Sequence, residues 1–294
     1  MLTTVFTPTY NRESYLKILF NSLQEQTNKN FEWILVDDGS TDNTSEIADE
    51  IKRKANFSFH YYKKENGGKH TAINLAMKYA KGEMFFCVDS DDYLGSNAIK
   101  MINEYYPQIK DSDKICAVTF LRHHHDGTPM GTQKNPTNLV TNFQAYRFQY
   151  GIEGERAEVV KTEILRNYPF PVFGNEKLCT EGVVWNRIAK KYDSLYIANV
   201  EPIYFCEYLP DGLTKGGVFC PQSYMVYYNE LTTFPMNVWE KIKIFSSYWY
   251  QSFLAKYTIY KAYKNLICKW GLIAYPLGVY LYLKIYIDNL IRRH

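Results

Sequence analysis

Met84-Phe85-Phe86-Cys87-Val88-Asp89-Ser90-Asp91-Asp92 sets an apolar run directly against three carboxylates within four residues. Residues 84–88 predict a buried strand. The carboxylates then stand at its C-terminal end, where open α/β sheets place their ligands. Adjacent carboxylates repel one another, so something positive belongs among them. Mg²⁺ or Mn²⁺ is the simplest candidate, because hard divalent cations take oxygen ligands and share them with substrate phosphates. An acidic turn ahead of a helix beginning near Ser96 is the structural alternative.

The chain on the N-terminal side of this stretch alternates regularly. Residues 57–62 predict a strand, followed by Asn66-Gly67-Gly68-Lys69 and a helix over about 70–80. Before them, residues 33–36 form a strand that ends in Asp37-Asp38-Gly39-Ser40-Thr41-Asp42 and leads into a polar helix to about Lys54. The first strand, 4–7, runs into Pro8-Thr9-Tyr10-Asn11-Arg12. Asn11 can cap the next helix, which carries Tyr15, Leu16, Leu19, Phe20 and Leu23 on one face. Strand–helix alternation predicts parallel pairing with right-handed crossovers, which gathers both acidic motifs and both polar turns on one sheet edge.

On the C-terminal side the pattern breaks up. A helix runs from Ser96 to about Tyr106, then 115–121 is a strand. His123-His124-His125 reads as a solvated loop, since consecutive side chains cannot all face one ion. Residues 128–178, with four prolines, read as loop-rich with one or two small strands. Cys179-Thr180-Glu181-Gly182-Val183-Val184-Trp185 leads into a helix, and 195–200 and 204–208 are strands.

The 294 residues carry a formal net charge of +3 that hides an asymmetry. From Trp239 onward nine Lys/Arg face Glu240 and Asp288, a net of +7; the rest carries 25 basic and 29 acidic residues, a net of −4. A basic tail suggests an anionic surface as partner. The tail's uncharged runs, 12 residues after Lys243 and 14 after Lys269, fall short of a spanning helix. Their mixture of Trp, Tyr, Lys and Arg suits a membrane interface, with Trp249 and Trp270 at headgroup depth. An appendage packed on the body is the alternative. Nucleic acid is not expected as a partner, because the acidic front face would repel a phosphate backbone. The six cysteines include no CxxC, which argues for a reduced compartment, and the N-terminus shows no secretory pattern. No GxGxxG follows the first strand, against a Rossmann dehydrogenase.

These motifs together resemble family 2 glycosyltransferases of the GT-A fold, an α/β fold with a mostly parallel central sheet and flanking helices. The resemblance rests on residues 7–12, on Val36-Asp37-Asp38-Gly39-Ser40, on 66–69 with Asn74, on Asp89-Ser90-Asp91-Asp92, and on Glu181 four residues before Trp185. It looks most like bacterial enzymes that build surface polysaccharides. It implies a nucleotide-diphosphate sugar donor, one that carries UDP, and a glycan or lipid-linked acceptor. It puts Asp91 on Mn²⁺ or Mg²⁺, with Asp89 on the metal or the ribose. Asp38 would meet the uracil edge, Pro8 and Tyr10 would line the base pocket, and Arg12 and Lys69 would serve the phosphates; Lys69 could also pair with Asp89. For Asp37, helix capping and ligand contact stand level. Glu181 would be the base of a single inverting displacement, with Glu176 as runner-up. The family often has Glu-Asp where this chain has Glu181-Gly182. Asp211 and Thr214 fall where related enzymes have a loop near the diphosphate. The expected domains are 1–232, divided into a nucleotide-sugar half 1–110 and an acceptor half 111–232, and a helical extension 233–294. The expected location is cytoplasmic, peripheral on the inner face of the membrane. The rival reading is a silent GT-A domain that binds nucleotide or a partner enzyme without turnover.

Overall fold

The computed structural model describes residues 1–131, 138–198, 200–207 and 219–291. By backbone contacts the chain forms two compact units, 1–170 with 188–218, and 171–187 with 219–294. The division does not fall at 232. The segment that carries Glu181 groups with the C-terminal helices.

Among the described residues the first unit is built on an eight-stranded mixed sheet, in the order Ser58–Lys63, Phe31–Asp37, Thr3–Thr9, Met84–Cys87, Arg156–Lys161, Ile115–Leu121, Asp193–Ile197 and Leu139–Thr141. Strands β1 (Thr3–Thr9), β2 (Phe31–Asp37), β3 (Ser58–Lys63) and β4 (Met84–Cys87) pair in parallel, as strand–helix alternation requires. They are joined by helices α1 (Glu13–Gln24), α2 (Thr44–Lys54) and α3 (Lys69–Ala76). Every residue of β1 and β2 is buried, which explains why residues 33–36 of β2 read as a continuous rather than an alternating apolar run. Val5, Leu16, Leu19, Trp33, Leu35 and Phe86 are completely buried in the main core. Beyond β4 lie the short β5 (Tyr93–Leu94), α4 (Ala98–Tyr105) and β6 (Ile115–Leu121). The region that reads as loop-rich holds β7 (Leu139–Thr141), α5 (Phe143–Phe148), β8 (Arg156–Lys161) and α6 (Thr162–Arg166).

Strand β8 is the main departure from expectation. It lies in the middle of the sheet, antiparallel to both β4 and β6. Its sequence, RAEVVK, carries three charges, so no apolar run marks it. Tertiary contacts supply what the pattern lacks. Arg156 is 5% exposed with its guanidinium 5.1 Å from the Tyr146 ring centre, and Lys161 donates to the backbone of Lys110 and Ser112. Strand β9 (Asp193–Ile197) completes the sheet, and β10 (Tyr204–Phe205) pairs with β5 outside it.

The second unit contains most of α7 (Gly182–Ala189), then α8 (Pro221–Leu231), α9 (Val238–Leu254), α10 (Ile259–Asn265) and α11 (Tyr275–Ile291). Its core is Met225, Phe245, Tyr248, Trp249, Ala262, Leu266 and Ala274. Trp249 is fully buried and donates from its indole N–H to the Gly271 carbonyl, so it is not the interfacial ring the composition suggests. Residues 269–288 form a continuous helical stretch of 20 residues with mean hydropathy 1.2, of which 17% is buried. By length and composition it reaches the span threshold that the charge-free run alone misses.

Candidate active site

Parallel strands bring their C-terminal ends to one edge, and the motifs of the first unit follow them there. β1 ends at Thr9, β2 at Asp37 and β4 at Cys87, with Asp89, Asp91 and Asp92 in the turn beyond. The Asp92 N–H donates to the Asp89 carbonyl, closing that turn. Asp89 pairs with Lys69 at 2.6 Å. Burial alone would raise the Asp89 carboxyl, but the charges of Lys69 and Arg122 overcome it and hold the group low. Asp91, half-buried, is raised by burial and by the charge of Asp89, against the pull of Arg12 and Lys69. Asp92 is buried and pushed up to about 8 by desolvation and by Asp89, against a hydrogen bond from the Tyr204 hydroxyl at 2.6 Å.

Lys69 satisfies Asp89, while the charged form of Asp91 remains disfavoured. Such oxygen donors fit a hard cation that takes one or two carboxylates and completes its shell with diphosphate and water. Among the described residues no group of three or more His, Cys, Asp or Glu converges as a ready-made metal cage.

The state of Asp92 has a measurable consequence. Between about pH 4, the ordinary carboxylate value, and about 8, the folded state keeps a proton that the unfolded chain has released. The contribution of Asp92 to stability then falls as pH rises through that window. Denaturant midpoints of the metal-free protein are expected to decline from pH 5 to 8, and Asp92→Asn should flatten the decline. A slope that Asp92→Asn leaves unchanged would show that Asp92 is ionised throughout.

The second and third motifs interlock. Asp38, 4% exposed, accepts the Gly68 N–H on Oδ2 at 2.6 Å, and on Oδ1 the Gly67 N–H at 2.9 Å and the Lys64 ammonium. Gly68 stands at φ +92°, a region that disfavours side chains, which lets the turn present its amides to the carboxylate. Asp38 thus fixes the loop that delivers Lys69, a role the sequence does not announce. Asp37 accepts from the Ser40 N–H and the Tyr61 hydroxyl, both structural contacts. Asn74 forms two hydrogen bonds with the backbone of Phe170, donating to its carbonyl and accepting from its N–H. Its place in the motif is a clamp.

Pro8 is buried in β1, Tyr10 stands 47% exposed just past it, and Arg12 stacks over the Tyr15 ring at 5.5 Å. Asn11 does not cap α1. At φ +51° its side chain accepts the Thr41 N–H instead, tying the first motif to the second. Beside Tyr10 the hydroxyl of Thr9 is buried.

In the second unit, the Glu181 carbonyl accepts the N–H groups of Val184 and Trp185, so Glu181 opens α7. Glu176 is committed elsewhere. Its carboxylate accepts the N–H of Gln222 at 2.7 Å and of Ser223 at 3.0 Å, capping the first turn of α8. A β-carbon on Gly182 would stand 2.5 Å from the Tyr227 ring, which accounts for glycine where the family often has aspartate. Asp211 and Thr214 lie outside the described residues. His124 and His125 contact Glu207, and the histidine run forms no metal group among the described residues. Sequence reasoning missed Tyr204 and Arg122, which flank the acidic turn from positions 30 or more residues away. No local pattern marks either.

A family model for glycosyl transferase family 2 matches residues 4–164, which stops short of Glu181. Poly(ribitol-phosphate) beta-N-acetylglucosaminyltransferase TarS of Staphylococcus aureus is 37% identical over 112 residues, 36% of this chain and 20% of that protein. The chain thus matches about a fifth of that relative's length. A crystal structure of S. aureus TarS 1–349 in complex with UDP-GlcNAc covers 94% of this chain and 78% of its own, at TM-score 0.61 and 20% identity. Mannosyltransferase PcManGT from Pyrobaculum calidifontis, in complex with GDP-Man and Mn²⁺, covers 94% and 72% at TM-score 0.52 and 18% identity. The folds agree with a GT-A sheet. With the family match spanning more than half the chain and four of its motifs carried to one sheet edge, the chain belongs to glycosyl transferase family 2.

Proposed function

We propose that the protein is an inverting glycosyltransferase that moves a sugar from a UDP-linked donor to a glycan or lipid-linked glycan acceptor in bacterial surface-polysaccharide synthesis. One observation carries this reading: a carboxylate pair, Asp89 and Asp91, at the end of β4, with Lys69 paired to Asp89 at 2.6 Å and ionised Asp91 disfavoured by burial and by the charge of Asp89. Pro8 and Tyr10 line the base. Asp38 keeps about one of a carboxylate's four acceptor positions for the uracil edge after its three bonds to the chain. Asp91 and Asp89 would hold Mn²⁺ or Mg²⁺, which supplies charge neutralisation for the departing diphosphate. Arg12 and Lys69 add positive charge at the same edge. Glu181 takes the proton of the acceptor hydroxyl; that oxygen forms a bond to C1 as the bond from C1 to the phosphate oxygen breaks. The nucleotide diphosphate leaves and the anomeric centre inverts.

The UDP-GlcNAc complex of TarS supports a UDP-linked donor, and the GDP-Man and Mn²⁺ complex of PcManGT supports a nucleotide sugar with a divalent metal. A screen of nucleotide sugars for Mn²⁺-dependent nucleotide release, with and without lipid-linked acceptor, tests it. Release abolished by chelator is expected. Tight UDP binding with no turnover on any donor would instead favour the silent domain.

The second unit is proposed to rest on the inner face of the membrane. Ile273 is 70% exposed and Tyr280 60%, with Trp270, Leu277 and Leu283 about half exposed, all within the 20-residue helical stretch. The surrounding tail is net +7, and each basic residue near an anionic leaflet contributes roughly 1 kcal/mol. The full chain is expected to float with vesicles containing phosphatidylglycerol and to be released by salt. Ile273→Glu with Leu277→Glu should weaken flotation at least tenfold, since both side chains are exposed and neither supports the core. Unchanged flotation of that variant would remove this face from the membrane. Attachment that resists salt and carbonate would identify 269–288 as a span.

A further inference from the structure

We propose that Tyr204 is a positioning residue whose hydroxyl joins the two ends of the Asp89–Asp92 turn and so sets the direction of the Asp91 carboxylate. The inference rests on the reading of this turn as the cation and diphosphate site. Tyr204 is completely buried. Its hydroxyl donates to Asp92 Oδ2 at 2.6 Å and accepts the Asp89 N–H at 3.1 Å. One oxygen thus holds the backbone of the first residue of the turn and the side chain of the last. Asp91 lies between these two anchors, inside the turn closed by the Asp92 N–H on the Asp89 carbonyl.

The ring is itself held on several sides. The Arg122 guanidinium lies 4.4 Å from the ring centre, and Phe86 packs against it edge-on at 5.8 Å. Arg122 is fixed in turn by donation from Nε to the Arg156 carbonyl at 2.9 Å and from a terminal nitrogen to Glu155 at 3.2 Å. The backbone of Tyr204 is set by its pairing with Leu94 and by the His123 N–H donated to its carbonyl. A phenol clamped this way has little rotational freedom, so its oxygen is a fixed point for the turn. A phenylalanine would fill the same volume and leave the turn without that point.

Mn²⁺ binding to the full chain in the presence of UDP, read from the spectroscopic signal of free Mn²⁺, tests the role without turnover. Tyr204→Phe is expected to weaken Mn²⁺ binding about 10–100-fold, the range for partners that orient metal ligands. Asp92→Ala removes the same bond from its other end. Tyr204→Phe deletes this bond and the one from the Asp89 N–H, whereas Asp92→Ala deletes only the first, so the losses overlap and the double variant should lose less than the sum of the two singles. Binding within twofold of wild type in folded Tyr204→Phe, or losses that simply add, would overturn the proposal. If Tyr204→Phe does not fold, Asp92→Ala decides alone: retained Mn²⁺ affinity sinks the proposal. Asp91→Asn separates the two levels. Wild type that binds Mn²⁺ with UDP, and loses it in Asp91→Asn, upholds the site whatever Tyr204 does; wild type that binds no Mn²⁺ overturns both.

Discussion

Asp91→Asn is expected to cut Mn²⁺-dependent nucleotide release by about 10²–10³-fold, the kinetic equivalent of the several kcal/mol that a bound cation contributes to a departing diphosphate. The substitution keeps the shape and removes the charge. Folding should not suffer. Burial and the neighbouring charge of Asp89 already disfavour ionised Asp91, so a neutral amide relieves repulsion. The denaturant midpoint at neutral pH is expected at or above that of wild type, which distinguishes a lost ligand from a damaged fold. Turnover should respond weakly to added Mn²⁺, and UDP should bind with reduced metal dependence. Full activity in this variant would take the metal role away from Asp91.

Glu181→Gln should lower turnover about 10²–10⁴-fold, the usual contribution of a general base, with donor binding retained. The glutamine keeps a polar group at the start of α7 but cannot accept the acceptor's proton. Glu176 provides the contrast. It holds the N–H groups of Gln222 and Ser223, so Glu176→Ala should cost stability by about 0.5–2 kcal/mol, as loss of a helix cap does. Its activity per folded molecule should remain near wild type. The reverse pattern, an inert Glu176→Gln and an active Glu181→Gln, would exchange the two roles. Single-turnover rates with saturating donor separate these cases from weakened binding.

The roles of individual motif residues divide instructively. Asp89 and Lys69 were legible as possible partners, because a lysine that opens a helix after Gly-Gly and a carboxylate past a parallel strand must meet at one edge. Asp38 and Asn74 were legible as motif members but not as clamps. Their partners are backbone groups of Gly67, Gly68 and Phe170, and a backbone N–H has no signature in sequence. Trp249 misled for a related reason. Aromatic and basic composition suits a membrane interface and a helical core alike, and only packing against Met225, Phe245 and Ala274 places the ring inside.

By itself the sequence determined the strand–helix alternation of the first 92 residues, the parallel pairing that follows from it, and the edge where the carboxylates gather. These depend on local periodicity and on the handedness of crossovers, which are properties of short segments. Tertiary structure alone decided that a charged strand, Arg156–Lys161, sits in the middle of the sheet, since its burial depends on partners such as Tyr146 and Lys110. It also decided that Glu176 caps a helix, that Gly182 yields to the Tyr227 ring, and that Tyr204 reaches the acidic turn from more than a hundred residues away. Each of these is a contact between segments distant in sequence. Its energy comes from geometry that no local pattern encodes.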